Sequence, residues 1–306
     1  MIDVKHFFKR PAKRDVFELG EQRLAQLRTE GRYSCYRSTR ATLRKLSMFR
    51  RGKHLQVKDV TPELMADFRD FLMEKMGNSH NTVCENIKIV AKLLTEAGVE
   101  ENLCARLKLS REQNERTYLL EEELLRIMSL RLKRFGEMDM VRDIFFVECR
   151  TGLRISDLLQ LRWDDYDGEF IRIRMQKTKR RVEIPVTDSV RAVFEKYRTL
   201  FDAPDATVFP FLDHHHVVFD EFILERKLIS ATARVNQLIK KLAQRAGVEK
   251  NLSTHVGRHT FATMLINKGA SIYDVKELLG HQDVKVTQIY AHMLNTRKKM
   301  LVDMLE

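Results

Sequence analysis

The chain has 306 residues, of which 43% are hydrophobic and 32% charged, and its net charge at pH 7 is +12. This length favours about two globular domains, each large enough to bury an apolar core. No run of residues reaches the roughly 18 apolar positions of a membrane span, and charges occupy the N-terminus where a signal peptide is apolar. We therefore expect a cytoplasmic protein without a membrane partner.

The composition also argues against a metal site. The four cysteines are scattered without a C-x-x-C pair, so neither a zinc site nor a disulfide framework is indicated. The consecutive residues His214–His216 cannot easily point at one ion. Asp164, Asp165 and Asp167 lie where a turn into a strand is expected. We predict neither a metal nor a cofactor.

The positive charge favours a polyanionic partner, because lysines and arginines that displace counterions from phosphates supply much of the affinity for nucleic acid. Residues 1–110 carry 22 Lys and Arg against 14 Asp and Glu, whereas residues 111–306 carry 33 against 29. The N-terminal third is therefore the better candidate for an electrostatic DNA clamp.

Residues 32–58 include nine basic residues and no acidic one. Leu43, Leu46 and Phe49 recur there at helical spacing, which leaves arginines on another face of the same helix. A charge run of one sign is usually a solvated face, but the absence of acidic partners favours phosphate contact. The arginines predicted to bind DNA are Arg37, Arg40, Arg44 and Arg51.

The rest of the first third is also helical. Thr61 followed by Pro62 is typical of a helix start, and Gly77 of its end. Another helix is predicted from Asn81 to Gly98. Residues 1–105 are therefore predicted to form a short-looped helical bundle that binds DNA.

The second domain is predicted to combine helices with one hairpin. Residues 106–117 are polar with little apolar periodicity and are interpreted as a linker, so this domain covers residues 118–306. Helices are predicted to start near Leu120 and to end at Gly152. The segment FIRIRMQKTKRRVEIPV alternates apolar and polar residues around QKTKR, which predicts a two-stranded hairpin with a basic tip. The predicted fold class is mainly α with a small antiparallel β-sheet in the C-terminal domain.

Five segments between residues 150 and 292 resemble, in order, the signature boxes of the tyrosine recombinase (phage integrase) family. They are TGLRISDLLQL, QKT in the hairpin, THVGRHTFAT, LLGHQD and IYAH. The resemblance implies a helical SAM-like core-binding domain followed by an α+β catalytic domain. The catalytic residues that it implies are Arg154, Lys177, His255, Arg258, His281 and Tyr290.

These residue types suit metal-free cleavage of a phosphodiester. Attack spreads negative charge over the non-bridging oxygens, and two guanidiniums, Arg154 and Arg258, hold such oxygens bidentately. Tyr290 is the candidate nucleophile, since its phenolate can form a covalent phosphotyrosine that conserves the bond energy. The resemblance implies a link to the 3′ phosphate and a free 5′ hydroxyl.

The remaining candidates move protons or orient the site. The 5′ oxygen leaves poorly unless it is protonated, and Lys177 on the hairpin tip is the candidate donor. His255 is expected to accept or share the tyrosine proton, and His281 to donate to phosphate oxygens. Asp157 resembles the family's acid that orients active-site groups. The alternative bases beside Lys177 are Lys179, Arg180 and Arg181, of which Lys179 and Arg180 are also predicted to contact DNA.

Each candidate taken alone has a simpler interpretation. Arg154 can pair with Asp157 on a helix surface, His255 can cap the following helix, and His281 can occupy a helix C-terminus where cations are favoured. A lone Tyr290 is most often a partly buried aromatic. The joint pattern favours an active site instead.

The resemblance implies a site-specific DNA recombinase of integrase or invertase type that acts through a Holliday junction. It also implies a homotetramer on double-stranded DNA with specific recombination sites, and leaves accessory DNA-bending proteins open as further partners. The amphipathic residues 296–306 are predicted to dock on a neighbouring subunit or, alternatively, on their own domain.

Two other functions remain open from the sequence. One is a type IB topoisomerase, which relaxes supercoils as a monomer, and the other is a DNA-binding regulator that lacks the chemistry. The helical candidate domain begins within the first few dozen residues, where many mobile-element integrases carry an arm-binding domain. A simpler enzyme is therefore expected, such as a DNA invertase, a small integron or transposon integrase, or a chromosome-dimer resolvase.

Overall fold

The computed structural model contains two compact units. The residues that it describes are 14–99, 106–107, 109–110, 116–200, 203–212 and 220–283. The first unit comprises residues 1–114 and 219–226, and the second comprises residues 115–218 and 227–306. The sequence pattern did not assign residues 219–226 to the first unit. The domain boundaries at residues 105 and 118 stay predictions.

The first unit is helical. Its helices include α1 (Val16–Thr29), α2 (Tyr33–Phe49), α3 (Pro62–Asp70) and α4 (His80–Glu96). The Asp15 carboxylate caps α1 by accepting a hydrogen bond from the Phe17 N–H at 2.8 Å. Thr61 caps α3 in the same way, with Pro62 in the first turn as predicted. Local capping chemistry thus fixes where these helices begin.

The winding of the chain changes directly after α3. A wider π-helical turn occupies Phe71–Lys75, and Gly77 follows with a left-handed φ of 61°. Glycine adopts this conformation without the steric cost that a Cβ brings, which agrees with its predicted role as the end of the helix. Phe68 and Leu72 are both fully buried on either side of this change.

The core of the first unit consists of apolar side chains from all four helices. Its central members include Val16, Leu46, Phe68, Ile87 and Val90. Phe222 also belongs to this unit, with its ring edge-on to Tyr33 at 5.0 Å and to Tyr36 at 5.3 Å between centroids. Aromatic packing of this kind explains why residues 219–226 group with the first unit.

The second unit has seven helices and one hairpin within the described ranges. The elements are α5 (Glu121–Met128), α6 (Glu137–Thr151), α7 (Ile155–Leu158), β1 (Phe170–Arg174), β2 (Arg181–Pro185), α8 (Asp188–Arg198), α9 (Glu221–Arg245), α10 (Thr254–Asn267) and α11 (Ile272–Leu278). The first residues of α9 belong to the other unit. The predicted fold class, mainly α with a small antiparallel sheet, is confirmed.

The sheet is the predicted hairpin. Strands β1 and β2 pair antiparallel, with Phe170 opposite Pro185 and Arg174 opposite Arg181. Ile171 and Ile184 face each other across the ladder and are buried. The basic tip therefore lies in the turn between Met175 and Arg180.

Helix α6 lies at the centre of the second unit and is buried along most of its length. Its Asp139 and Asp143 carboxylates both accept a hydrogen bond from Lys196 Nζ, each at 2.5 Å. The Tyr197 hydroxyl donates to Asp143 at 3.0 Å. Arg142 of α6 also pairs with both acids, so the two buried carboxylates are compensated by two cations, as buried charges require.

The helices of the described residues were compared with the length and hydropathy of a membrane span. None of their helices combines the length and the apolar character that a bilayer span needs.

Candidate active site

Arg258 lies on α10, is only 8% exposed and is held by two backbone carbonyls. Its Nη1 donates to the Gly152 carbonyl and its Nη2 to the Leu279 carbonyl, each at 2.5 Å. These carbonyls follow the ends of α6 and α11, so one guanidinium joins three helices. Gly152 has a φ of 65°, which suits a glycine at a helix C-terminus and confirms the predicted end of α6.

Arg154 precedes α7 and is partly buried. Its Nη1 lies 3.2 Å from the Met175 sulfur, which belongs to the hairpin. Burial lowers the pKa of Arg154 below its usual range, and the nearby Asp157 opposes that effect. An arginine stays protonated under such a shift, so Arg154 keeps a charge with few protein hydrogen bonds.

Asp157 is buried and holds the hairpin turn. Its Oδ1 accepts a hydrogen bond from the Gln176 N–H at 2.9 Å, while its Oδ2 is buried without a hydrogen-bond partner in the described chain. Burial raises the pKa of Asp157, and the Gln176 hydrogen bond and Arg154 oppose this. The simple Arg154–Asp157 surface pair is therefore not what forms, because the carboxylate binds the turn.

The hairpin turn also contacts the loop that carries His281. Arg180 Nη1 donates to the His281 carbonyl at 2.6 Å, and Gln282 Nε2 donates to the Thr178 carbonyl at 3.3 Å. A Cβ on Gly280 would lie 2.5 Å from the Met175 sulfur, so only glycine permits this approach. Arg180 thus has a structural partner in addition to its predicted contact with DNA.

Lys177 lies exposed in the turn, and its neighbours occupy different environments. Lys179 is exposed with a left-handed φ of 56°, and Arg181 is the first residue of β2. Among charged groups, Lys177 has the largest effect on the pKa of His255. Lys177 is thus the base of this turn whose charge most affects His255, and its role as proton donor stays a prediction.

His255 is the second residue of α10, where Ser253 and not His255 occupies the N-cap. The alternative interpretation as a capping histidine is therefore wrong. His255 is exposed, although neighbouring chain partly desolvates its ring. This desolvation lowers its pKa, and the charges of Lys177 and Arg258 lower it further. A neutral imidazole results at pH 7, which is the form that accepts a proton.

His281 follows α11 and is only 8% exposed. Its N–H donates to the Lys276 carbonyl at 3.0 Å, so its backbone does close the helix C-terminus. A helix C-terminus favours a cation, but burial, assisted by Arg258 and Arg154, lowers the pKa of His281 to about 3. The side chain is therefore a neutral group that can donate one hydrogen bond without adding charge.

Sequence reasoning missed Arg116 and His259. Arg116 Nη1 lies 3.1 Å from His259 Nε2, and burial together with Arg116 lowers the pKa of His259 to about 4. The charge of Arg116 also lowers the pKa values of His255 and His281. A residue assigned to the linker thus adds positive charge near the site. The histidine directly after Arg258 was the signal that could have indicated such a partner.

The predicted basic face of the first unit is largely as expected. Arg37, Arg40 and Arg44 are all exposed on α2. Arg51 does not belong to this helix, which ends at Phe49. The chain turns at Arg51 and Gly52, both with left-handed φ values of 52° and 72°. Gly52 is a helix stop signal that the assignment of Arg51 overlooked.

Tyr290, Cys104, His214–His216 and residues 296–306 lie outside the described residues. The nucleophile and the tail contact therefore stay predictions. Within the described ranges, no group of three or more His, Cys, Asp or Glu side chains is arranged to hold a metal ion.

Two family profiles match the chain. The profile of the phage integrase family matches residues 117–297. The profile of the phage integrase SAM-like domain matches residues 15–108. Both parts of the fold that the resemblance implied are therefore confirmed.

Curated relatives align over part of their length. The tyrosine recombinase XerD of Listeria monocytogenes (serotype 4b) is 34% identical over 158 residues, covering 49% of this chain and 48% of the relative. XerD of Brucella suis is 36% identical over 155 residues, covering 50% and 48%. The chain thus spans about half the length of these relatives.

Solved structures match over nearly the whole chain. The Tn1549 transposon integrase in complex with transposon right end DNA has a TM-score of 0.66 at 19% identity, covering 94% of this chain and 98% of that one. The XerH recombinase bound to palindromic difH substrate has a TM-score of 0.63 at 16% identity, covering 94% of each. At such identities the likeness concerns the fold alone.

Proposed function

Because this chain belongs to the phage integrase family of tyrosine recombinases, we propose that it is a site-specific DNA recombinase. In this proposal it breaks and rejoins DNA strands through a covalent bond between Tyr290 and a 3′ phosphate. The observation that carries the proposal is the buried Arg258, fixed by two carbonyls, beside neutral histidines and the partly buried Arg154.

The cleavage step follows from the charges of these groups. Tyr290 Oη attacks the scissile phosphorus, and the bond from phosphorus to the 5′ oxygen breaks. The phenol proton passes to His255, whose lowered pKa keeps it free to accept. Lys177 gives a proton to the departing 5′ oxygen, which leaves as a hydroxyl. Atoms and charge balance without an external cofactor.

The phosphate oxygens carry most of the charge in the transition state. Arg154 and Arg258 are proposed to hold two of these oxygens, and His281 to donate a further hydrogen bond. Preorganised donors of this kind stabilise a transition state because they need no reorganisation when the charge develops. With these cations in place the reaction is proposed to proceed without a metal ion.

Rejoining is the reverse reaction with a new partner strand. A 5′ hydroxyl from a second duplex attacks the phosphotyrosine, Tyr290 leaves, and a repeated exchange resolves a Holliday junction. This scheme requires two double-stranded DNA sites held together, for which we propose a homotetramer. Residues 296–306 are proposed to dock between neighbouring subunits of that assembly.

The first unit is proposed to bind the DNA backbone. Its exposed arginines on α2 have the distribution that phosphate contacts need. Related structures described as bound to transposon end DNA and to difH substrate support a DNA partner. The target sequence is determined by base contacts, so it requires an experiment.

The experiment captures the covalent intermediate. The full-length chain is incubated with fragmented genomic DNA that includes the region around its own gene, denatured with detergent, and the DNA bound to protein is sequenced. A nicked duplex of the recovered site, from which the cleaved fragment diffuses away, then serves as substrate. The matched control is Tyr290→Phe, which lacks only the nucleophilic oxygen.

We expect the wild type to form the adduct in the presence of a metal chelator. Tyr290→Phe should form none. The absence of an adduct from the wild type contradicts the proposal and favours a DNA-binding regulator. Relaxation of a supercoiled plasmid that lacks the recovered site, without any exchange between paired sites, favours a topoisomerase instead.

A further inference from the structure

Glu148 is a buried acid that the proposed reaction does not use. It lies on α6 and is only 1% exposed. Its carboxyl group lies near the Ile155 N–H and the charge of Arg258, both of which oppose the rise in its pKa that burial causes. Its Oε2 is buried without a hydrogen-bond partner in the described chain. Glu148 therefore lies between the segment that carries Arg154 and the helix that carries Arg258.

Gly257 provides the space for this carboxyl group. A Cβ at position 257 would lie 2.7 Å from Glu148 Oε2 and 3.1 Å from its Cδ and Cγ. No Cβ is tolerated at such distances unless the carboxyl group shifts. Gly257 has no left-handed φ that would require a glycine, so close approach is the reason that the structure gives for its presence.

Both residues are costly at these positions. A glycine inside a helix is less favourable than an alanine, and a buried ionisable group without full hydrogen bonding destabilises the fold. Burial raises the pKa of Glu148 well above its usual range, although Arg258 opposes this. Two destabilising residues, Glu148 and Gly257, beside Arg258 point to a role in the site.

The contacts of Glu148 indicate what that role is. Its carboxyl group lies near the N–H of Ile155, the residue directly after Arg154. The Gly152 carbonyl, one turn after Glu148 on the same helix, fixes Arg258. The end of α6 thus adjoins both arginines, through a backbone carbonyl that binds Arg258 and through a side chain near the segment that carries Arg154. A misplacement of about 1 Å in such a pair is enough to cost about 100-fold in rate.

We propose that Glu148, seated against Gly257, is a positioning residue that fixes Arg154 and Arg258 relative to each other. This inference rests on the proposed recombinase reaction, since the pair matters only if it binds a phosphate. Glu148 does not contact the reacting atoms. It acts through the start of α7 and through the helix that carries Arg258.

The test compares Glu148→Leu, Glu148→Gln and Gly257→Ala in the full chain. Single-turnover cleavage of the nicked site, DNA affinity and unfolding free energy are measured for each. Leucine removes the acceptor but suits a buried position, so stability should be kept or raised while cleavage falls about 10- to 100-fold. Glutamine keeps an acceptor oxygen and should retain cleavage within about threefold of the wild type. The control Glu137→Leu changes an exposed acid on the same helix.

Gly257→Ala tests the same contact from the other side. It should lower cleavage about 10-fold or more, with DNA affinity unchanged, because the added Cβ displaces the carboxyl group. If Glu148→Leu fails to fold, this variant decides the outcome. A purely structural role predicts that cleavage falls only in step with stability, and that result overturns the inference.

A second readout does not depend on cleavage. In nitrogen-15 NMR, the Arg258 Nε–H signal, assigned with Arg258→Lys, should shift in Glu148→Leu and in Gly257→Ala but not in Glu137→Leu. If Glu148→Leu and Gly257→Ala both cleave at the wild-type rate, the inference is overturned and the recombinase proposal is unaffected. If the wild type itself forms no adduct, the recombinase proposal fails, and an unshifted Arg258 signal then overturns the inference as well.

Discussion

The α2 face of the first unit and the arginine pair of the second unit use the same residue type in opposite ways. Arg37, Arg40 and Arg44 are exposed, so their charges act through water and salt screens them. Arg258 is buried and held by two carbonyls at 2.5 Å. Exposed arginines supply affinity for a polyanion, whereas buried ones supply a fixed geometry.

This difference explains why the two regions should respond differently to mutation. Removing an exposed charge takes away one of many additive phosphate contacts. Removing a buried charge takes away a preorganised donor and leaves its partners without hydrogen bonds. The first change should alter binding and its salt dependence, and the second should alter the rate of the bound complex.

The largest effect is expected from Arg258→Ala. The variant loses a donor to the phosphate, and the carbonyls of Gly152 and Leu279 lose their partner, so cleavage should fall about 10³-fold. Arg258→Lys keeps the charge but not the forked geometry and should remain strongly impaired. Single-turnover cleavage at saturating DNA measures the effect. Arg245→Ala, on α9, is the control and should cleave normally; a similar loss there contradicts the comparison.

Lys177→Ala should cost about 10²-fold in cleavage, because an unprotonated 5′ oxygen is a poor leaving group. The matched control is Arg181→Ala, which removes a neighbouring base from β2. A substrate with sulfur in place of the 5′ oxygen leaves readily without a proton and should restore cleavage by Lys177→Ala. It should not restore cleavage by Arg258→Ala. If Arg181→Ala loses more activity than Lys177→Ala, the proton donor has been misassigned.

His281 should make the folded chain less stable in acid. Its pKa is about 3 when folded and about 6.5 when unfolded. A lowered histidine pKa means that the unfolded state binds more protons below pH 6.5, so stability falls as the pH falls towards 3. From pH 7 to pH 5 this one residue should cost about 2 kcal/mol.

This loss of stability is measured by denaturant unfolding of the wild type and of His281→Asn at pH 7 and pH 5. Asparagine keeps a neutral donor but does not titrate, so the variant should lose less stability on acidification. An identical pH dependence in the two proteins would show that folding does not lower the pKa of His281.

Much of the fold was predictable because its signals are local. Thr61 with Pro62 and the glycines at 77 and 152 mark helix ends through short-range chemistry. The alternating strands around the basic tip predicted the hairpin. Arg51 was assigned wrongly because helical periodicity was continued past Phe49, although Gly52 is a local signal that the helix ends.

The site was predictable only in its residue types. The bond from Arg258 to the Gly152 carbonyl spans 106 positions, and the approach of Gly257 to Glu148 is similarly distant in sequence. Such contacts depend on how helices pack, which no short motif encodes. The same holds for Arg116, whose polar surroundings indicated a linker although its guanidinium lies beside His259. A sequence motif identifies the residue types of the site, whereas helix packing determines their protonation states and the directions of their side chains.

The smallest effect is expected from Arg40→Gln on α2. Loss of one phosphate contact should weaken binding to a non-specific duplex several-fold and reduce the slope of log affinity against log salt by about 0.9. Cleavage of bound DNA should be unchanged, unlike in Arg258→Ala. Lys92→Gln removes an equal charge from α4 and is the control. Equal salt slopes for Arg40→Gln and Lys92→Gln would mean that total charge, and not the α2 face, attracts the DNA.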